Sequence, residues 1–191
     1  HFTGKVAYRT TYPMALLGGR EIGVGRTKWW GPDRHIVIYP TTRNRDELYF
    51  VTSQPEKVDW MTRESWSQKG DLDELREAFA AFHPEVRAVL DACPEVYKWA
   101  LLEREPLPTW VDRRIALLGD ACHPTLPFLA QGAVMALEDG VVLARCLEKY
   151  DDVPAALLAY ERARLERDNA MVRGATEMTS HFHNADYRDP V

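Results

Sequence analysis

The chain has 191 residues, 46% of them apolar, enough to bury a sizeable core in one large domain or two small ones. Its 24 Lys and Arg against 29 Asp and Glu make it mildly acidic, so the phosphate attraction behind most nucleic-acid binding has no evident source. Cys93, Cys122 and Cys146 lack a paired short spacing, which argues against a disulfide framework or a zinc site and fits a reducing cytoplasm; no apolar run approaches the roughly 20 residues that span a bilayer.

The opening His1-Phe2-Thr3-Gly4-Lys5 has neither the charged lead nor the apolar stretch of a signal peptide. It also lacks an initiator methionine, so the expectation is that the natural chain begins upstream. Branched and aromatic residues mark strands over 6–10, 20–30, 35–39 and 48–52, with Gly18-Gly19, Gly31-Pro32-Asp33 and the polar 42–46 as turns. An antiparallel meander follows from that order. From Asp71 the period changes: Leu72, Leu75, Phe79, Phe82, Val86 and Val89 recur at gaps of three and four, a helical face that Pro84 breaks or kinks.

Ile115-Ala116-Leu117-Leu118 reads as a short buried strand ending in a tight turn at Gly119-Asp120. A helix is expected over 133–150, with Val134, Leu137, Val141 and Ala144 on one stripe, and a second from about 154 to 171 with Pro154 in its first turn. Residues from His181 onward are polar and aromatic without periodicity and read as loose. The expected fold is α/β, with an antiparallel substrate sheet and helix over 1–108, the last part of a cofactor-binding domain over 109–175, and a tail over 176–191.

The informative stretch runs from Gly119-Asp120-Ala121-Cys122-His123-Pro124 through Pro127 to Gln131-Gly132-Ala133, followed by Glu138-Asp139-Gly140. It reads as a strand end, a carboxylate, and a rigid loop that delivers backbone amides to a helix start. A carboxylate at the end of a strand can accept hydrogen bonds from sugar-like hydroxyls, which makes Asp120 the candidate for that role. The helix that starts near Gln131 presents unpaired N–H groups and a positive dipole end, and Gly132 lets a flat ring approach.

The order Gly-Asp, Ala, Cys-His, two spaced prolines, Gln-Gly and Glu-Asp resembles the second flavin-binding motif of the single-component (class A) FAD-dependent aromatic monooxygenases. Trp29-Trp30-Gly31-Pro32-Asp33-Arg34-His35-Ile36-Val37-Ile38-Tyr39-Pro40 is similar to that family's substrate-domain strand, and Tyr160-Glu161-Arg162-Ala163-Arg164 to its Tyr-Glu-x-x-Arg helix. The resemblance covers essentially the whole chain. It points to the salicylate hydroxylase-like branch, on the side of enzymes that act on 6-hydroxynicotinate. It implies that NADH reduces FAD, that O2 is the oxidant, and that an aromatic or N-heteroaromatic hydroxy-carboxylate is hydroxylated, in some members with loss of the carboxylate.

By the same resemblance, Asp120 binds the ribityl or pyrophosphate side of FAD, while Pro127, Gln131, Gly132 and Ala133 approach the isoalloxazine. His35, Tyr39 and His123 then face the substrate, where a histidine or tyrosine takes or shares the ring hydroxyl's proton. Ala130 departs from the glycine usual in the family. No Gly-x-Gly-x-x-Gly unit follows a first strand, so the expectation is a fragment that holds FAD poorly by itself.

Plainer readings stand beside these. His35 alone would be a satisfied structural residue, and Asp120 a turn residue. Cys122 beside His123 admits a thiol hydrolase, although a small buried cysteine fits better. His181-x-His183 is two ligands without a third, so no metal is expected. Trp29-Trp30 and Tyr49-Phe50 read as packing, and the Arg-rich run 162–167 as a solvated, ion-paired helix face. The rival to the enzyme is a truncated, catalytically silent binding or dimerisation module, with a homodimer as the expected partner state.

Overall fold

The computed structural model describes residues 1–23, 25–57 and 68–182. The chain is mixed α and β and divides into two compact units, one of residues 2–101 with Phe182, the other of His1 with residues 102–181. The division therefore falls at 101/102, compared with 108/109 in the sequence reading.

The first unit is built on a five-stranded sheet in the order β2-β3-β4-β1-β5, from β1 (Phe2–Pro13), β2 (Thr27–Trp30), β3 (His35–Pro40), β4 (Glu47–Pro55) and β5 (Tyr97–Leu102). The expected meander is β2-β3-β4, with Trp30 opposite His35 and Tyr39 opposite Tyr49. β1 lies antiparallel to the far side of β4, Arg9 opposite Val51. Among the described residues of 20–30 only Thr27–Trp30 is strand, and β5 is a strand that the sequence reading did not anticipate.

Side chains alternate between the faces of a strand, so register decides what each face carries. Tyr8, Tyr12, Ile36, Ile38, Leu48 and Phe50 share one face and are buried in a single core. Two helices complete that core, α1 (Leu72–Ala78) and α2 (Pro84–Ala92), through Leu75, Val86, Val89 and Leu90, with Phe79 just past the end of α1. Burying each such side chain contributes about 1.5–3 kcal/mol. Asp71 caps α1 by accepting from the Asp73 and Glu74 amides at 2.8 and 3.1 Å. Pro84 opens α2, where its missing N–H costs nothing, so it separates two helices. The opposite face carries Arg9, His35, Val37, Tyr39, Tyr49 and Val51.

The second unit holds a short hairpin, β6 (Val111–Asp112) with β7 (Ile115–Ala116), and two long helices, α3 (Gly132–Lys149) and α4 (Val153–Phe182). The expected buried strand is corrected here. Only two of its residues are paired, and Ile115 is 69% exposed because the hairpin turns at Arg113 (φ 55°) and offers that face no covering layer. The helix expected to stop near 171 continues to Phe182, so residues 176–182 of the supposed tail are helical. Residues 183–191, and His183 with them, lie outside the described residues. No helix among the described residues is long and apolar enough to cross a membrane.

Candidate functional site

Two short 3-10 turns, Gly119–Ala121 and Pro127–Leu129, carry the chain from the β6-β7 hairpin into α3. Gly119 has φ +59°, and a Cβ there would sit 3.2 Å from the Ala136 Cβ, so glycine serves both the turn and the loop's seat on α3. Asp120 follows it, exposed, and among the described residues its carboxylate has no hydrogen-bond or ion-pair partner. A Cβ at Gly132 would meet Thr125 Cγ2 at 3.3 Å and Asp120 Oδ1 at 4.0 Å, which puts Asp120 and the start of α3 on one surface. Gln131, the residue before the helix, gives no side-chain bond to the first-turn amides. Those N–H groups and the dipole behind them remain available to an acceptor.

Pro127 and Ala133 are exposed on this loop, and Gln131 and Gly132 half-buried. Ala130 holds a left-handed conformation at φ +54°, the physical reason glycine suits this position. A free carboxylate and uncapped amides form a donor and acceptor set that could hold the polyol chain and ring edge of a flavin.

Beneath the loop lies a buried charge cluster. His123 is 1% exposed and its Nε2 lies 2.6 Å from Asp139 Oδ2. The same carboxylate accepts the Gly119 amide at 3.1 Å and, through Oδ1, the Arg164 Nε at 2.9 Å. Arg164 also pairs with Asp168 at 2.9 Å and Glu138 at 2.8 Å. Burial pushes Asp139 upward, but the bonds from His123, Arg164 and Gly119 outweigh it and hold the carboxyl below its usual range. Asp168 goes the other way, pushed up by burial to about 6 against the pull of Arg164.

The Tyr-Glu-x-x-Arg helix supplies the other fastenings. The Tyr160 hydroxyl donates to the Leu117 carbonyl at 3.1 Å, and Glu161 accepts the Trp110 and Val111 amides. Arg104 donates to the Ala121 and Cys122 carbonyls at 2.9 and 3.3 Å. Within the run 162–167, Arg162, Glu166 and Arg167 are exposed as expected, whereas Arg164 is 5% exposed because Asp139 and Glu138 on α3 and Asp168 on its own helix draw its guanidinium inside. Burial pushes the Cys122 thiol up to about 11, and its Sγ donates to the Gly119 carbonyl at 3.2 Å. A neutral, bonded thiol is a poor nucleophile. Ligand-type atoms of Cys122, His123 and Asp139 lie within 4.8 Å of one another, yet both Asp139 oxygens are engaged and a guanidinium adjoins them, an ion-pair cluster in form.

In the sheet unit, His35 is 5% exposed, its ring 5.5 Å from that of Phe182. Tyr39 is half-buried, with its ring 5.0 Å from Tyr49. Trp29 stacks on His83 at 4.5 Å on the core side, as packing, while Trp30 is 51% exposed.

Residues 27–175 match the family model described as "FAD binding domain". The chain belongs to that family. It is 46% identical over 180 residues to the 6-hydroxynicotinate 3-monooxygenase of Bordetella bronchiseptica (strain RB50), covering 93% of this chain and 46% of that protein. The crystal structure of CtdE in complex with FAD and a substrate superposes with a TM-score of 0.86 at 27% identity, over 99% of this chain and 50% of that one. A salicylate hydroxylase substrate complex gives 0.81 at 26% identity, over 99% and 49%. The chain spans about half the length of the curated relatives it matches.

Within this member of the FAD-binding-domain family, Asp120, Pro127, Gln131, Gly132 and Ala133 belong to one loop and helix start, and His35 and Tyr39 to one face of one strand. His123 lies behind the loop, ring-deep in its own unit. Arg164 and Asp139 were not singled out in the sequence; the Tyr-Glu-x-x-Arg and Glu-Asp patterns that contain them were the available signal.

Proposed function

We propose that this chain serves an FAD- and NADH-dependent monooxygenase that hydroxylates an aromatic or N-heteroaromatic hydroxy-carboxylate such as 6-hydroxynicotinate or salicylate, in a cytoplasmic setting with O2 as co-substrate. The observation that carries the reading is the shared surface of the free Asp120 carboxylate and the uncapped start of α3 in a chain that matches an FAD-binding domain. FAD, when bound, supplies the redox chemistry with oxygen.

Asp120 would receive the hydroxyls of the cofactor's ribityl chain. The amides at Gly132 and Ala133 would stabilise negative charge on the flavin ring, with Gln131 and Pro127 bordering it. His35 and Tyr39 take or share the proton of the substrate's ring hydroxyl, which raises the ring's electron density. His123 acts from behind: its bond to Asp139, which also holds the Gly119 amide, keeps the turn before Asp120 in place, so we assign it positioning in place of substrate contact.

A second reading is a binding or dimerisation module that holds no FAD by itself. The exposed apolar stripe of α3, Leu137 at 74%, Val141 at 51% and Val134 at 44%, favours it, since such a stripe invites a covering layer. The test is to supply the purified chain with FAD and NADH and add 6-hydroxynicotinate or salicylate. A yellow protein whose NADH consumption accelerates, with a hydroxylated product, supports the oxygenase. A protein that binds FAD yet oxidises NADH no faster with either acid contradicts it, and a colourless protein supports the module reading for this chain.

A further inference from the structure

The sheet face that carries Tyr39 also carries a guanidinium that no carboxylate of the described residues neutralises. Arg9 lies on β1 opposite Val51. Its Cζ sits 4.1 Å from the centre of the Trp99 ring, and its charge works against the burial that raises the pKa of Tyr49, whose ring lies 5.0 Å from that of Tyr39. The chain's net charge is −5, so carboxylates are plentiful, yet among the described residues none pairs with Arg9.

We propose that Arg9 is the specificity-determining residue of this face and receives the carboxylate of an aromatic hydroxy acid whose ring lies across β4 toward Tyr39 and His35. The proposal rests on the monooxygenase reading and names the residue that would select its substrate class. Neighbouring strands lie about 4.8 Å apart and each residue advances about 3.3 Å, so Arg9 on β1 and Tyr39 on β3, two residues along from the register line of Arg9, have Cα atoms about 12 Å apart, a span that their side chains and one six-membered ring with a hydroxyl at one end and a carboxylate at the other can bridge. Val51 and Val37, which share the register line of Arg9, give that ring an apolar floor.

The choice of cation follows from chemistry. A guanidinium is charged at every working pH and meets a carboxylate with two parallel bonds, and stacking on Trp99 fixes its plane. Lys28, on β2 opposite Val37, is another cation of this face, but its ammonium lies over the Phe182 ring and its pKa is brought down to about 8, mainly by burial and then by Arg26. It offers a weaker, pH-dependent charge with no preset plane.

The test is a titration of isotope-labelled protein with 6-hydroxynicotinate and with 2-hydroxypyridine, the same ring without the carboxylate, following the Trp99 indole N–H. The acid moves that signal, and the carboxylate-free ring binds at least about tenfold more weakly, as loss of one charge-assisted bond of about 1.5–3 kcal/mol implies. Arg9→Met removes the difference by weakening only the acid, Arg9→Lys restores part of it, and Lys28→Met changes neither ligand. Equal weakening of both ligands in Arg9→Met, or equal binding of both by the wild type, overturns the role of Arg9 and leaves the oxygenase reading standing. An acid that perturbs no residue of this face overturns both.

Discussion

The loop at 119–133 and the sheet at residues 2–55 are held by opposite kinds of force. The sheet stands on apolar alternation, with Ile36, Ile38 and Phe50 buried on the helix side and Arg9, His35, Tyr39 and Tyr49 beside Val37 and Val51 on the other. The loop stands on buried charge: one carboxylate, Asp139, binds Gly119, His123 and Arg164 together. An apolar core tolerates gradual change, whereas a charge cluster fails once a single partner is removed. A surface that must hold a cofactor's hydroxyls in fixed geometry gains from the second kind, since its partners are directional.

The sharpest way to break that comparison is Arg164→Met, which leaves Asp139 and Asp168 buried without their cation. The expected cost is about 3–5 kcal/mol in the second unit, read by urea unfolding and by lost hydrogen-exchange protection at the Gly119 amide. Ile36→Ala costs about 2–5 kcal/mol, with the Gly119 amide still protected. Equal exchange behaviour in the two variants would erase the distinction.

Acid titration sharpens it further. The folded pKa of Asp168 is raised from 3.8 to about 6, chiefly by burial, so its contribution to stability is full below about pH 4 and is lost as pH rises through about 6. Asp139 is lowered, so its contribution is present above the ordinary aspartate range and is lost on acidification. In Asp168→Asn the first loss disappears. The melting temperature of the variant, relative to wild type, should therefore climb between pH 4 and 6; parallel curves would remove Asp168 from the cluster's titration.

Much of the sheet was legible in the sequence because alternation is a local signal, and Pro84 marked the helix break for the same reason. The loop motif was legible through its residue order. What escaped was non-local. Arg164 looked like one more charge on a solvated helix, since Asp139, the partner that draws it inside, is 25 residues away in sequence. The exposure of Ile115 also escaped, because an apolar run looks the same whether or not a layer covers it. Arg9 and Trp99 meet only after β5 joins β1, and no spacing within either strand announces that contact.

The smallest effect is expected at Ala130. Its left-handed backbone costs about 1–2 kcal/mol, and a glycine there loses about 0.5–1 kcal/mol in chain entropy, so Ala130→Gly should stabilise by about 0.5 kcal/mol in thermal melts. A destabilised variant would mean that the Ala130 methyl contributes contacts that outweigh the strain.

The proposed flavin contact of the 119–133 loop is tested most directly by titrating FAD into wild type and Asp120→Ala and following flavin fluorescence. Loss of affinity by about tenfold or more, with an unchanged Gly119 exchange rate, is the predicted result. A variant that binds FAD as tightly as wild type would contradict the assignment of this surface to the cofactor.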